Sequence, residues 1–296
     1  MGFGTIRSKI GTTLRRGPCE APYGLLTKLW KNFIVESMKK FFKLTLICAV
    51  IFPCAMALGE DIPAPPSIYH IEPWTDGILI GSTTLLTASA ITFQYQLIDR
   101  RCPCDPNEVN SFDRPAIYNQ SSLARSVAGF TVLTALVAPI AVDYLDIGFS
   151  KAFAEDMIVY AETMTVTWFL VTASKFSTQR PLPRLYAAQD QGNPSDYLSF
   201  YSGHTATTVA ALSALSMTYT ARHGWSLWPW LTTGLVGTSI AYEMVDSAGH
   251  FPSDVIVGFL MGGLVGWAVP HFHSKAASIS LAPVESGAMA LWTRNF

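Results

Sequence analysis

Six long apolar stretches interrupted by polar intervals dominate the chain: Gly77–Ile98, Ser126–Val142, Met157–Ser174, Thr205–Ala221, Gly224–Tyr242 and Val255–Pro270. Five carry no Asp, Glu, Lys or Arg, and the third carries only Glu162. Each outruns an ordinary strand and none alternates with period two, so the pattern predicts helices. The expectation is an all-α fold, a bundle of about six apolar helices. Several stretches fall short of the roughly 20 apolar residues that a bilayer crossing needs. Their Ala, Gly, Ser and Thr suit helices that pack backbone to backbone. Membrane association is the favoured reading, with a soluble bundle of uniformly apolar inner helices as the alternative.

The N-terminal region has a different character. From Met38 the sequence runs through three lysines, an apolar run over Leu44–Pro53 and the triplet Ala55-Met56-Ala57, the layout of a secretory signal peptide. Residues 1–57 are therefore expected to be an N-terminal extension plus a leader-like segment, with translation starting at Met38. An uncleaved anchor helix is the alternative. Residues 58–76 are Pro-rich and read as a linker, residues 77–273 as the helical domain and residues 274–296 as a tail of mixed pattern.

Charge sharpens this division. The 296 residues are 50% hydrophobic and only 14% charged, with mean hydropathy +0.29. Residues 1–57 hold nine Lys and Arg against two acids. The remainder holds eleven against nineteen, a formal charge of −8. An acidic, apolar body without a basic stripe excludes nucleic acid as a partner. Cys102 and Cys104 are the cysteines left outside the leader. So tight a pair is either a strained disulfide or two free thiols.

Three polar segments border apolar helices and carry the candidate chemistry. Lys175, Arg180 and Arg184 follow the third helix, Ser202-Gly203-His204 precedes the fourth, and His250 to Asp254 lead into the sixth. Free N–H groups at a helix start favour an anion such as phosphate, and lysine and arginine add cationic donors. His250 and Asp254 stand four apart, so on a helical turn they share a face. The carboxylate can hold one imidazole nitrogen and leave the other free to attack, while His204 can protonate a leaving oxygen. His250 is expected at a water-accessible helix end. His271 and His273 have no carboxylate or cysteine close by in sequence, so neither a metal site nor a cofactor is expected.

These segments resemble the three signatures of the type 2 phosphatidic acid phosphatase superfamily, which also includes class A acid phosphatases and vanadium haloperoxidases: K-x6-RP, PSGH and SR-x5-H-x3-D. The resemblance covers roughly residues 77–270. It implies that Lys175, Arg180, Ser202 and Gly203 bind phosphate, that His204 is the general acid, and that His250 is the nucleophile, oriented by Asp254. It also implies a phosphohistidine intermediate and no metal. The chain departs from the pattern at four positions. Tyr201 replaces the proline of the second signature, Leu182 occupies the strict arginine position of the first, and Glu243 and Met244 occupy the strict serine and arginine positions of the third. The expected function is an exported, membrane-associated phosphatase of the cell envelope. Its substrate would be a phosphorylated lipid or a small phosphate ester, and its active site would face the periplasm or exterior. The alternatives are a weak or inactive relative that binds phosphorylated lipid or serves a structural role, and, more remotely, a vanadate-dependent haloperoxidase. A leader followed by three crossings would put Lys175 in the cytoplasm, so on this reading one of the first three apolar stretches, with Gly77–Ile98 the candidate, does not cross the bilayer, or none of them does.

Overall fold

The computed structural model describes residues 65–275 in full, and the backbone of Ala277–Val284 and Gly287–Arg294. The extension, the leader-like segment and the proposed start at Met38 lie outside the described residues. Seven helices of six residues or more make up the body among the described residues: α1 (Pro73–Thr92), α2 (Ser122–Ile147), α3 (Lys151–Thr178), the short α4 (Pro183–Ala188), α5 (Gly203–His223), α6 (Leu227–Asp246) and α7 (Pro252–His273). All six predicted helices are present, so the all-α expectation holds for the body. The tail adds an antiparallel hairpin that the sequence pattern did not foretell. Strands β1 (Ala277–Val284) and β2 (Gly287–Arg294) pair in the register Ala277↔Arg294 to Val284↔Gly287.

Local chemistry sets the helix ends. Ser121, Ser150 and Ser202 cap α2, α3 and α5 by accepting the N–H groups of Ala124, Phe153 and Thr205. Proline opens α1, α4 and α7, where its missing N–H costs nothing. Gly224, at φ 81°, ends α5 in a conformation that a β-carbon would strain.

α5 is the central helix, and every residue from Thr205 to Ala214 is buried. Its Ala, Thr and Ser side chains admit α7 at very short range. A β-carbon on Gly258, Gly262 or Gly266 would stand 2.7, 2.4 and 2.4 Å from the carbonyl oxygens of Ser202, Ala206 and Ala210. Three glycines four apart thus mesh with three small residues four apart, the close-approach geometry favoured between membrane helices.

Large apolar side chains point outward instead. Leu85 and Phe130 are exposed, as are Leu235 and Leu260. α2, α7 and the segment that begins with α3 are long and apolar enough to cross a membrane. A bundle with small residues inside and bulky apolar ones outside is matched to hydrocarbon, and the protein is accordingly a membrane protein.

α1 is not among those three, yet it runs alongside α3 from one end of the bundle to the other. Asp76 in its first turn stands by Glu162 and His273. Beyond its last turn, Leu97 O accepts from Gln179 Nε2 at 2.9 Å. Residues 65–72 belong to the end away from the candidate site: Tyr69 Oη pairs with Thr218 Oγ1 at 2.9 Å, and Arg222 donates to Pro66 O. Cys102 and Cys104, left open by the sequence, are joined in a disulfide.

Candidate active site

The three signature segments converge at one end of the bundle. A backbone bond joins two of them, for Ser202 N donates to Asp254 O at 3.0 Å. The third arrives through α3, whose Lys175 lies against the start of α5. Its Cε would be 3.8 Å from a β-carbon on Gly203, and its Nζ donates to Leu198 O. Gly203 and His204, as the first residues of α5, have N–H groups with no helical acceptor.

His250 is placed by the turn after α6. Gly249 N and His250 N both donate to Met244 O, at 3.0 and 3.1 Å, and Ala248 at φ 51° reverses the chain. His250 is therefore not on α7, as the four-residue spacing suggested, but two residues ahead of it. Nor is it at an open helix end, being only 5% exposed. Its Nδ1 is 3.7 Å from Asp254 Oδ2 and accepts or donates no hydrogen bond. Such contacts are often long before substrate binds and tighten afterwards. Burial drives the His250 imidazole down to about 4, with Lys175 and His204 acting in the same direction against Asp254. At neutral pH the ring is uncharged and keeps a lone pair for attack. His204 is more open to solvent. It too is lowered, by the protein packed around its base and then by the Lys175 charge.

Asp254 is fully buried, and its carboxylate is saturated. Oδ1 accepts from Arg180 at 2.6 Å, and Oδ2 accepts from Ser199 Oγ at 2.5 Å and Phe251 N at 3.0 Å. Arg180 also donates to Asp113 at 2.8 Å and Ser253 Oγ at 2.8 Å, and stacks 4.0 Å over the Phe251 ring. Both of its terminal nitrogens are thus engaged by carboxylates, those of Asp254 and Asp113. Ser202 Oγ is likewise occupied, as the cap of α5. Leu182 and Met244 are buried apolar residues, Met244 packing with Ala128, Ile240 and Val255. Arg184 pairs with Asp196 at 2.7 Å.

Sequence reasoning missed Asp113, Ser199 and Ser253. Ser253 lies inside the third segment and was legible as part of it. Asp113 was not, because nothing in the polar interval 99–125 marks it. It is buried, and it accepts from Arg180, Ser253 and Asn110. Burial pushes its carboxyl up, but those donors hold it below the usual carboxylate range.

A buried, donor-saturated aspartate lies behind an uncharged histidine, with a lysine and a second histidine at a helix start, an arrangement chemically capable of phosphoryl transfer. The family comparison agrees. The family model described as PAP2 superfamily matches residues 156–278, which hold all three segments, and bears out the resemblance read from the motifs. The chain is also similar to a lipid A 1-phosphatase of Porphyromonas gingivalis, 26% identical over 215 residues. That alignment covers 72% of this chain but only 42% of the relative, so the chain spans less than half the length of the protein it matches. No solved structure matches it.

Proposed function

We propose that the protein is a membrane-embedded phosphatase that hydrolyses a phosphate monoester or diphosphate of a lipid through a phosphohistidine on His250. The observation that carries this reading is the meeting of uncharged His250, anchored Asp254, Lys175 and His204 at the start of α5. Lys175 and the first N–H groups of α5 hold the phosphate oxygens. His250 Nε2, on the ring edge away from Asp254, attacks phosphorus. The P–O bond to the lipid breaks as His204 gives its proton to the leaving oxygen. His204 then takes a proton from water, whose oxygen displaces the histidine, so the P–N bond breaks and inorganic phosphate leaves. Every step uses groups of the chain itself and water, so the proposed chemistry calls for no metal.

A lipid substrate is compatible with an apolar groove of about 340 Å³ between α6 and α7, lined by Thr238, Ala241, Val255, Ile256, Phe259 and Leu260, on which an acyl chain could lie. The lipid A 1-phosphatase similarity points to the same substrate class.

One observation favours a second reading, a weak or inactive relative that binds phosphorylated lipid. Leu182 and Met244 put no cation where the family's signatures have arginine, and such donors supply a large part of the catalytic effect. A screen of phosphate release from phosphorylated lipids and soluble esters tests both. Release by the unmodified chain, raised further by Met244→Arg, supports the first. A folded protein that releases nothing in either form supports the second.

We further propose that the site faces the periplasm or exterior. Because residues 65–72 occupy the other end of the bundle, a bundle that crosses the bilayer then puts Ser67 on the cytoplasmic side. A cleaved leader delivering residue 58 outside is compatible with an exterior site only if the helices lie on the membrane instead of across it.

A further inference from the structure

At the far end of the bundle, Asp76 of α1, Glu162 of α3 and His273 of α7 converge, each offering a ligand atom within 4.8 Å of the other two. His273 Nε2 is 3.5 Å from Asp76 Oδ1 and 3.5 Å from Glu162 Oε2. Both separations are too long for a hydrogen bond, and neither carboxylate is favoured. They match the spacing of ligand atoms around one ion, since tetrahedral bonds of about 2.0–2.1 Å set neighbours about 3.4 Å apart. The other ring nitrogen, Nδ1, lies 2.9 Å from Val269 O and can only donate to it, which leaves Nε2 with its lone pair facing the two acids. That outer hydrogen bond is the device that orients metal-binding histidines.

The carboxylates need a cation. Glu162 is 4% exposed, and its Oε2 accepts no hydrogen bond. Asp76 is buried too, and among the described residues neither acid is ion-paired with a lysine or arginine. Two buried carboxylates around one imidazole remain electrostatically unbalanced even if that imidazole is protonated.

We propose that Asp76, Glu162 and His273 bind one divalent transition-metal ion of the zinc class. An imidazole among the ligands disfavours Mg²⁺ and Ca²⁺. The site lies roughly 28 Å along α7 from Asp254, at 1.5 Å per residue, so the ion is structural. It clasps three helices and the incoming segment, which bonds to two of the ligand residues through His70 N to His273 O and Glu72 N to Asp76 Oδ2. The sequence reading found no acid near His273 because both acids come from distant helices.

The test is a Zn²⁺ titration of the full, tag-free chain in detergent after chelator treatment, followed by calorimetry and thermal melting. The expected result is one saturable site and a raised Tm in the unmodified protein and in His250→Ala. Glu162→Gln and His273→Gln should bind at least about tenfold more weakly and lose the Tm response. If either of these loses its helical circular dichroism, Asp76→Asn takes its place with the same expectation. Equal responses in the unmodified protein and the variants, no response in any, or an equal response to Mg²⁺ would each overturn the proposal.

Discussion

Arg180 donates to Asp254 at 2.6 Å and, through its other nitrogen, to Asp113 at 2.8 Å, so one guanidinium ties the loop over 99–125 to the first turn of α7. Arg180 is then a positioning residue: it holds the carboxylate that faces His250. Arg180→Gln should lower kcat by about 10- to 100-fold, the range for outer groups that orient a functional imidazole, with little change in KM. A raised KM at unchanged kcat would instead mean that Arg180 binds the phosphate directly.

The two histidines set an acidic pH profile. His250 must be neutral to attack, and its lowering to about 4 means that kcat/KM rises as pH passes upward through that value. His204 must be protonated to donate. Since it is lowered from 6.5, the rate falls again as pH climbs through a point below 6.5. Initial rates across the acid range should trace a bell centred below neutrality. A plateau extending to pH 8 would contradict these assignments.

The glycine mesh gives a stability prediction. Gly262→Ala puts a methyl group 2.4 Å from Ala206 O, and should cost about 1–3 kcal/mol by overpacking. The same strain should loosen the Ser202–Asp254 junction and lower activity. Gly234→Ala on α6 meets nothing within 4 Å and should be neutral or mildly stabilising, by up to about 1 kcal/mol. Thermal melts of the pair provide the check. Equal melting temperatures would show that α5 and α7 are not locked together in this way.

The placement of α1 gives a topology prediction. Single cysteines introduced at Ser67 and at Asp190, probed with an impermeant reagent on intact cells, should label from opposite sides of the membrane, Asp190 from outside. Labelling of both from one side would show that the bundle does not cross. Labelling of Asp190 only after lysis would put the site in the cytoplasm.

The six helices were legible because each apolar stretch is long and uninterrupted, although the structure shifts their ends, closing the first at Thr92 and opening the fifth at Leu227. Lys175, Ser202 to His204 and His250 to Asp254 were legible because signature spacing survives in one dimension. What stayed hidden depends on contacts between distant segments. Asp113 sits in a loop with no pattern of its own, and the charge on Arg180 suggested phosphate where the fold supplies carboxylates. His250 was expected in the open and is buried, because the helix begins only at Pro252 and the preceding turn folds inward. The acids beside His273 come from α1 and α3, so no local reading could join them.

The central claim is that His250 carries the phosphoryl group. Its most direct test is to incubate the purified protein with a phosphorylated lipid bearing a radiolabelled phosphate, quench within a turnover, and map the label. An acid-labile, base-stable phosphate on the peptide holding His250, absent from His250→Ala, which also releases no free phosphate, is the predicted result. Phosphate release by His250→Ala at close to the unmodified rate, or turnover with no label at His250, would contradict it.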